Sequence, residues 1–200
     1  MEFRLVYEGS LKASGNSARH VKDKHAIRRQ FHRQLSNLYD NHYYLSKLKA
    51  NSMNIRVEGV DVKTSFVEQQ AQRFSRCGYR FVPLVQKYQS LICGLDILFL
   101  RRENPGDLIL QGGDIDNRIK TLLDALRIPD DCNEVDGSPQ EGEDPFFCLL
   151  ENDSLVTELN VVTDRLLAPL KDGQHQNEVV LVIKVKVKGT KSNVAGLSLI

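Results

Sequence analysis

Ten residues, LICGLDILFL from Leu91 to Leu100, constrain this chain more than any others. The run is apolar and made of side chains that suit a pleated surface, which assigns it to the middle of a sheet. A buried strand needs neighbours, and several segments supply them. Phe3, Leu5 and Tyr7 alternate with Glu2, Arg4 and Glu8, so residues 2–8 read as a strand with one buried face. EVVLVIKVKVKG near the end is the clearest strand pattern, with Lys184, Lys186 and Lys188 along one face, either an exposed sheet surface or a protected edge. Tyr79 to Val85 and residues 148–162 are also strand-like, and Ile55, Val57, Val60, Val62 and Phe66 suggest a strand or hairpin within 51–70.

Between these segments the apolar period changes from two to about 3.6. Ile27, Phe31, Leu35 and Leu38 recur at helical spacing between His20 and Ala50, with basic residues on the other faces and a possible break near Asn41. A second stripe, Ile115, Ile119, Leu122, Leu123 and Leu126, follows a polar connection with Pro105, Gly112 and Gly113 and is closed by Pro129. Sheet and helix patterns together predict an α+β fold, a mixed β-sheet with packed helices in which 91–100 is central. Two hundred residues are enough for one domain to bury a core without disulfides or structural metal.

The net charge of +1 conceals an uneven distribution. Lys12, Arg19, Lys22, Lys24, Arg28, Arg29 and Arg33 make the first part basic, whereas Asp130, Asp131, Glu134, Asp136, Glu141, Glu143 and Asp144 make 130–144 acidic. The first stretch predicts a basic N-terminal helical segment that extends a phosphate-binding surface through Arg28, Arg29 and Arg33; the second predicts an exposed acidic loop. Both Arg28, Arg29 and Arg33 and the histidines His20, His25, His32 and His42 also fit a merely solvated helix face, and the histidine spacing makes no convincing zinc set. Tyr39, Tyr43 and Tyr44 fit helix packing or a dimer seam better than base stacking.

Cys77, Cys93, Cys132 and Cys148 show no CxxC pair, so they are expected to be reduced thiols. No apolar run reaches the roughly 20 residues that cross a bilayer, and MEFRLVYEGS is charged where a signal peptide is apolar. A cytoplasmic protein without membrane association is the expectation.

The chemistry concentrates at Asp114-x-Asp116-Asn117, with Lys120 one turn beyond Asp116. Two carboxylates at a helix start can point the same way, and hard divalent ions such as Mg²⁺ take oxygen ligands while keeping waters and substrate phosphates. A third ligand must come from elsewhere, and Asp153 in ENDSLVTELNV is the best candidate because it opens a strand able to lie beside that helix. Asp116 also fits a plain helix cap, and Asp116 with Lys120 an exposed i,i+4 ion pair. Asp124, two turns on, is expected to face solvent or stand behind the ligands.

GDIDNRIKTLLDAL, followed after a loop by ENDSLVTELNV, resembles the RusA family of Holliday junction resolvases, whose signature is a DxDN-x-x-K helix start and then a D/N-D-S segment. The resemblance spans roughly residues 95 to 163. It implies Mg²⁺- or Mn²⁺-dependent endonucleolytic cleavage of branched DNA by a homodimer, with metal held by Asp114, Asp116 and Asp153 and with Lys120 as the essential helix lysine contacting phosphate. The alternatives are a related metal-dependent nuclease acting on other DNA or RNA, in phage or mobile-element defence, and a catalytically silent nucleic-acid-binding module.

Overall fold

The computed structural model describes residues 1–12, 18–57, 60–102, 114–169 and 178–190, of which 18–19, 53–57, 60–62 and 114 are described in backbone alone. The fold is α+β. Strands β1 (Glu2–Ser10), β6 (Leu91–Arg101), β8 (Val156–Arg165) and β9 (Glu178–Gly189) form a sheet in the order β1-β9-β6-β8. β9 runs antiparallel to both β1 and β6, whereas β8 is parallel to β6. The run from Leu91 is interior to this sheet, as its composition predicts, and Leu91, Cys93, Leu95, Ile97 and Phe99 are buried.

A second sheet joins β4 (Ser75–Arg76), β5 (Tyr79–Val85) and β7 (Phe146–Leu150), with β5 and β7 parallel. Helix α1 (Ala18–Asn41) belongs to the core shared by the two sheets. Ile27, Phe31, Leu35 and Tyr39, each four residues from the last, are its most buried apolar side chains, whereas Leu38 is only partly covered. Tyr39 packs against Phe147 of β7 with ring centroids 4.6 Å apart and the rings tilted by 35°, so it is a packing residue. The break near Asn41 falls at His42, whose side chain accepts the Leu45 amide and starts α2 (Tyr43–Ala50).

Residues 52–65 form the hairpin β2 (Ser52–Val57) and β3 (Val60–Ser65); the side chains of Ile55, Val57, Val60 and Val62 lie outside the described residues. The strand reading fails at Phe66, which opens helix α3 (Phe66–Arg73). Ser65 caps that helix, its hydroxyl accepting the Glu68 amide at 3.1 Å, a local hydrogen bond that ends β3. Helix α4 (Asp114–Leu126) lies in the long connection between β6 and β8, and it buries Ile119, Leu122, Ala125 and Leu126. The polar connection containing Pro105, Gly112 and Gly113 lies outside the described residues.

One expectation is corrected and two are made specific. β9 is an interior strand, so its lysines line an exposed sheet face and no edge; Lys184 pairs with Glu2 at 2.9 Å, Lys186 with Asp96 at 2.7 Å and Lys188 with Glu158 at 2.6 Å. The cysteines are not all thiols. Cys77, in the turn between β4 and β5, forms a disulfide with Cys132 across 55 residues, while Cys93 and Cys148 are free and buried. Finally, the acidic loop is largely exposed, as expected, yet several of its carboxylates are paired. Glu134 and Asp130 pair with Arg127, Asp144 pairs with Arg80, and the buried Glu143 pairs with Arg29. No helix among the described residues is long and apolar enough to cross a membrane.

A cross-link spanning that separation removes freedom mainly from the unfolded chain, by about 4 kcal/mol in the chain-entropy picture and typically 2–4 kcal/mol as measured. Urea denaturation of the doubly substituted Cys77→Ser, Cys132→Ser protein is therefore expected to show a loss of about 2–4 kcal/mol against the oxidised wild type, with far-UV circular dichroism unchanged.

Candidate active site

The α4 stripe that faces the core leaves a neighbouring stripe beside strand β8. Asp116, Lys120 and Asp124 follow one another at intervals of four residues, so they share a helix face. All three line one cavity of about 340 Å³, together with Asp153, and its apolar walls are Ile115, Ile119 and Leu123 of α4 and Leu159 and Val161 of β8. Register explains the β8 contribution: Leu159 and Val161 stand opposite Leu95 and Ile97 of β6 and therefore share the sheet face that carries the core.

Asp153 reaches the cavity from a different segment. Leu150 ends β7, and Glu151-Asn152-Asp153-Ser154 turns the chain into β8. The first two of these side chains have structural tasks. The Glu151 carboxylate accepts the Lys87 amide at 2.8 Å, and the Asn152 side chain accepts the Ser154 amide at 3.0 Å, capping the one-turn 3-10 helix Asp153–Leu155. Asp153 is left exposed at the cavity rim.

Asp116 lies within the first turn of α4, past the capping position, where the helix N-terminus favours a negative charge. Among the described residues, Asp116, Lys120 and Asp153 make no ion pair, so the i,i+4 pair that their spacing allows is not formed. Asp124 differs: it binds Lys24 of α1 at 2.9 Å and Arg127 at 3.3 Å, both largely shielded from water. Lys24 and Asp124 thus form one charged contact that links α1 to the cavity wall. The sequence signal for them was the shared face of Asp116, Lys120 and Asp124; the α1 partner has no sequence signal.

The structure therefore brings Asp116, Lys120 and Asp153 together on one cavity. The side chain of Asp114, which begins α4, lies outside the described residues. Among the described residues no three His, Cys, Asp or Glu side chains converge as a metal cluster. The donors that do share the cavity are carboxylate oxygens, a set suited to a hard divalent ion that retains waters and takes oxygens from a substrate.

The basic helix is corrected in detail. Arg28 is 1% exposed and cannot reach DNA; its guanidinium donates to the carbonyls of Asp124 (2.9 Å) and Glu134 (3.1 Å) and to His25 Nδ1 (3.3 Å). Burial lowers its pKa to about 10, which leaves it charged at neutral pH. Arg29 is bound to Glu143 at 2.8 Å and is also unavailable. Arg33 is exposed and remains the surface cation of this set.

His25 and His32 are buried, contrary to a solvated or phosphate-binding face. Arginine has no acceptor, so His25 Nδ1 accepts from Arg28 and Nε2 donates to the Tyr79 hydroxyl at 3.1 Å. His32 Nδ1 accepts the Phe147 amide at 2.9 Å, and Nε2 donates to the Gly142 carbonyl at 3.0 Å. Both rings are held neutral. Burial first, then the Arg28 and Arg29 charges, push the His25 pKa down to about 4 against the opposing pull of Glu143 and Asp136; burial likewise lowers that of His32.

Comparison with protein-family models, curated proteins and solved structures finds no match to this chain. The site must be judged by its own geometry and chemistry.

A lowered histidine pKa fixes the sign of a pH effect. The unfolded chain takes up protons on these rings near pH 6.5, whereas the folded chain does not until about pH 4 at His25. This contribution to stability is present above about pH 6.5 and is lost as pH falls toward 4. Thermal unfolding of the wild type between pH 7.5 and 5 is expected to shift to lower temperature, and His25→Asn is expected to flatten that dependence.

Proposed function

We propose that this protein is a metal-dependent nucleic-acid phosphodiesterase, a Mg²⁺- or Mn²⁺-dependent endonuclease acting on branched DNA. The observation that carries the reading is the meeting of Asp116, Lys120 and Asp153, drawn from two separate chain segments, on the wall of one cavity. The resemblance of GDIDNRIKTLLDAL and ENDSLVTELNV to the RusA signature supports the same choice. Asp116 and Asp153, with Asp114, would hold the divalent ion, which supplies concentrated positive charge to a phosphodiester and its attacking water.

The chain's own groups have separable tasks. Asp116 and Asp153 contribute negative oxygens at the rim. Lys120 supplies a mobile cation for a phosphate oxygen, and no feature of its surroundings argues for use as a base. Ile119, Leu123, Leu159 and Val161 form an apolar floor that limits water and strengthens the charge interactions above it. Two strands of a symmetric junction require two such cavities, which is the reason to place a homodimer in this proposal.

The surface for DNA is smaller than the α1 composition suggests, since Arg28 and Arg29 are consumed internally. Lys120 and Arg33 are the remaining basic residues assigned to phosphate contact. The test is cleavage of a labelled four-way junction, beside linear duplex, single-stranded DNA and RNA, in Mg²⁺, Mn²⁺ or EDTA. Paired, metal-dependent cuts in the junction are expected, with Asp116→Asn and Asp153→Asn lowering the rate by about 10²–10³-fold, the scale for removing one transition-state-stabilising group. Lys120→Met is expected to raise KM and lower kcat while leaving the urea midpoint unchanged. Metal-dependent cutting of duplex, single-stranded DNA or RNA instead would change the substrate, and binding without cutting under every metal condition would overturn the hydrolytic reading.

A further inference from the structure

The turn between β5 and β6, residues 86–90, is pinned on every side yet presents a large aromatic side chain to water. Ser90 N–H donates to the Lys87 carbonyl at 3.0 Å and Leu91 N–H to the Gln86 carbonyl at 3.1 Å. Gln86 is fully buried and donates to the Pro83 carbonyl at 2.7 Å, while Thr190 donates its amide to the Ser90 carbonyl at 2.8 Å. Tyr88 projects from this fixed backbone and is 69% exposed. Isolated exposed apolar residues are ordinary on protein surfaces. Like the exposed Tyr43, which lies under Lys47, Tyr88 carries a cation on its ring: the guanidinium carbon of Arg73, in the last turn of α3, lies 4.9 Å from its ring centroid; what sets Tyr88 apart is its backbone connection to the cavity rim. A cation holds one face of the ring and leaves the remainder to solvent.

The position of this ring relates it to the cavity. The Lys87 amide binds the Glu151 carboxylate, and the Glu151 amide donates to the Val85 carbonyl at 3.0 Å. Asp153, on the cavity rim, is two residues further along. At 3.8 Å between successive Cα atoms, this path puts Tyr88 within about 20 Å of Asp153, so one short stretch of strand spans both. Lys87 is exposed next to the ring and adds a second cation.

We propose that Tyr88, backed by Arg73, is a stacking platform for an unpaired nucleobase of the strand whose phosphate enters the cavity. This rests on the phosphodiesterase reading and names the part of the substrate that it selects: a single-stranded or opened segment beside the cut. A base offers a π-face of any sequence to the free side of the ring, while Arg73 and Lys87 serve the flanking phosphates. Intact duplex keeps its bases stacked internally and offers the platform nothing.

The chain contains no tryptophan, so Tyr88→Trp introduces a single tryptophan, excited apart from the tyrosines, at the proposed contact. Titration in EDTA, which prevents metal-dependent cutting, with a single-stranded oligonucleotide, a four-way junction with unpaired bases at its centre and a blunt duplex is expected to quench its emission with the first two only. By anisotropy, Tyr88→Ala is expected to weaken single-strand binding by about 5- to 100-fold, with Tyr88→Phe retaining it. Binding seen by anisotropy with unaltered tryptophan emission, or wild-type affinity in Tyr88→Ala, overturns the platform. Quenching without metal-dependent cleavage of any substrate keeps the platform and removes the hydrolytic reading, whereas junction cleavage without quenching does the reverse. Failure of every nucleic acid to bind removes both.

Discussion

The interaction on which the arrangement depends is the buried guanidinium of Arg28. From α1 it grips the Asp124 carbonyl near the end of α4 and the Glu134 carbonyl in the acidic loop, and it fixes the His25 ring. Removing such a cation from water is costly, and two backbone carbonyls and a ring nitrogen offset that cost only by staying where they are. Three elements distant in sequence are thereby held in one geometry. The last turn of α4 is the most directly fixed, and with it Asp124 and the cavity wall beside Asp116 and Lys120.

The same reasoning explains why opposite charges separated along the chain did not remain separate in space. Arg29 meets Glu143, Arg127 meets Glu134 and Asp130, and Arg80 meets Asp144 and Glu68. The 130–144 segment acts as an electrostatic cover over the arginine-bearing part of the molecule. Carboxylates repel DNA when free; Asp130, Glu134, Glu143 and Asp144 are instead bound to arginines, and none of these four pairs with Lys120 or Arg33. The disulfide at Cys132 anchors the cover to the turn carrying Cys77.

Much of the architecture was legible because it follows from periods. The continuous run from Leu91, the alternation of Leu5 and Tyr7, and the helical stripe of Ile27, Phe31 and Leu35 each correspond to buried faces. The co-facial placement of Asp116 and Lys120 follows equally from helix geometry. Phe66 was misread because β-like residues lead up to it, although Ser65 with Glu68 three places on carries the pattern of a helix start. Long-range pairings had no local signature. Cys77 with Cys132, Arg28 with Asp124 and Lys24 with the Asp124 carboxylate join segments whose sequences say nothing of one another. Burial of His25 and His32 was hidden for the same reason: their basic neighbours made α1 read as a surface.

The parallel pairing of β6 with β8 carries a consequence for how the molecule is made. Parallel neighbours cannot be joined by a tight turn, and here the intervening chain contains α4, the acidic segment and β7, which itself completes the parallel pair with β5. One excursion closes both sheets. Its closure entropy is spent before any of these distant contacts forms, a topology associated with slow folding. The carboxylates on either side of the cavity consequently meet only when this excursion closes, and an unfolded chain holds the whole signature while possessing no site.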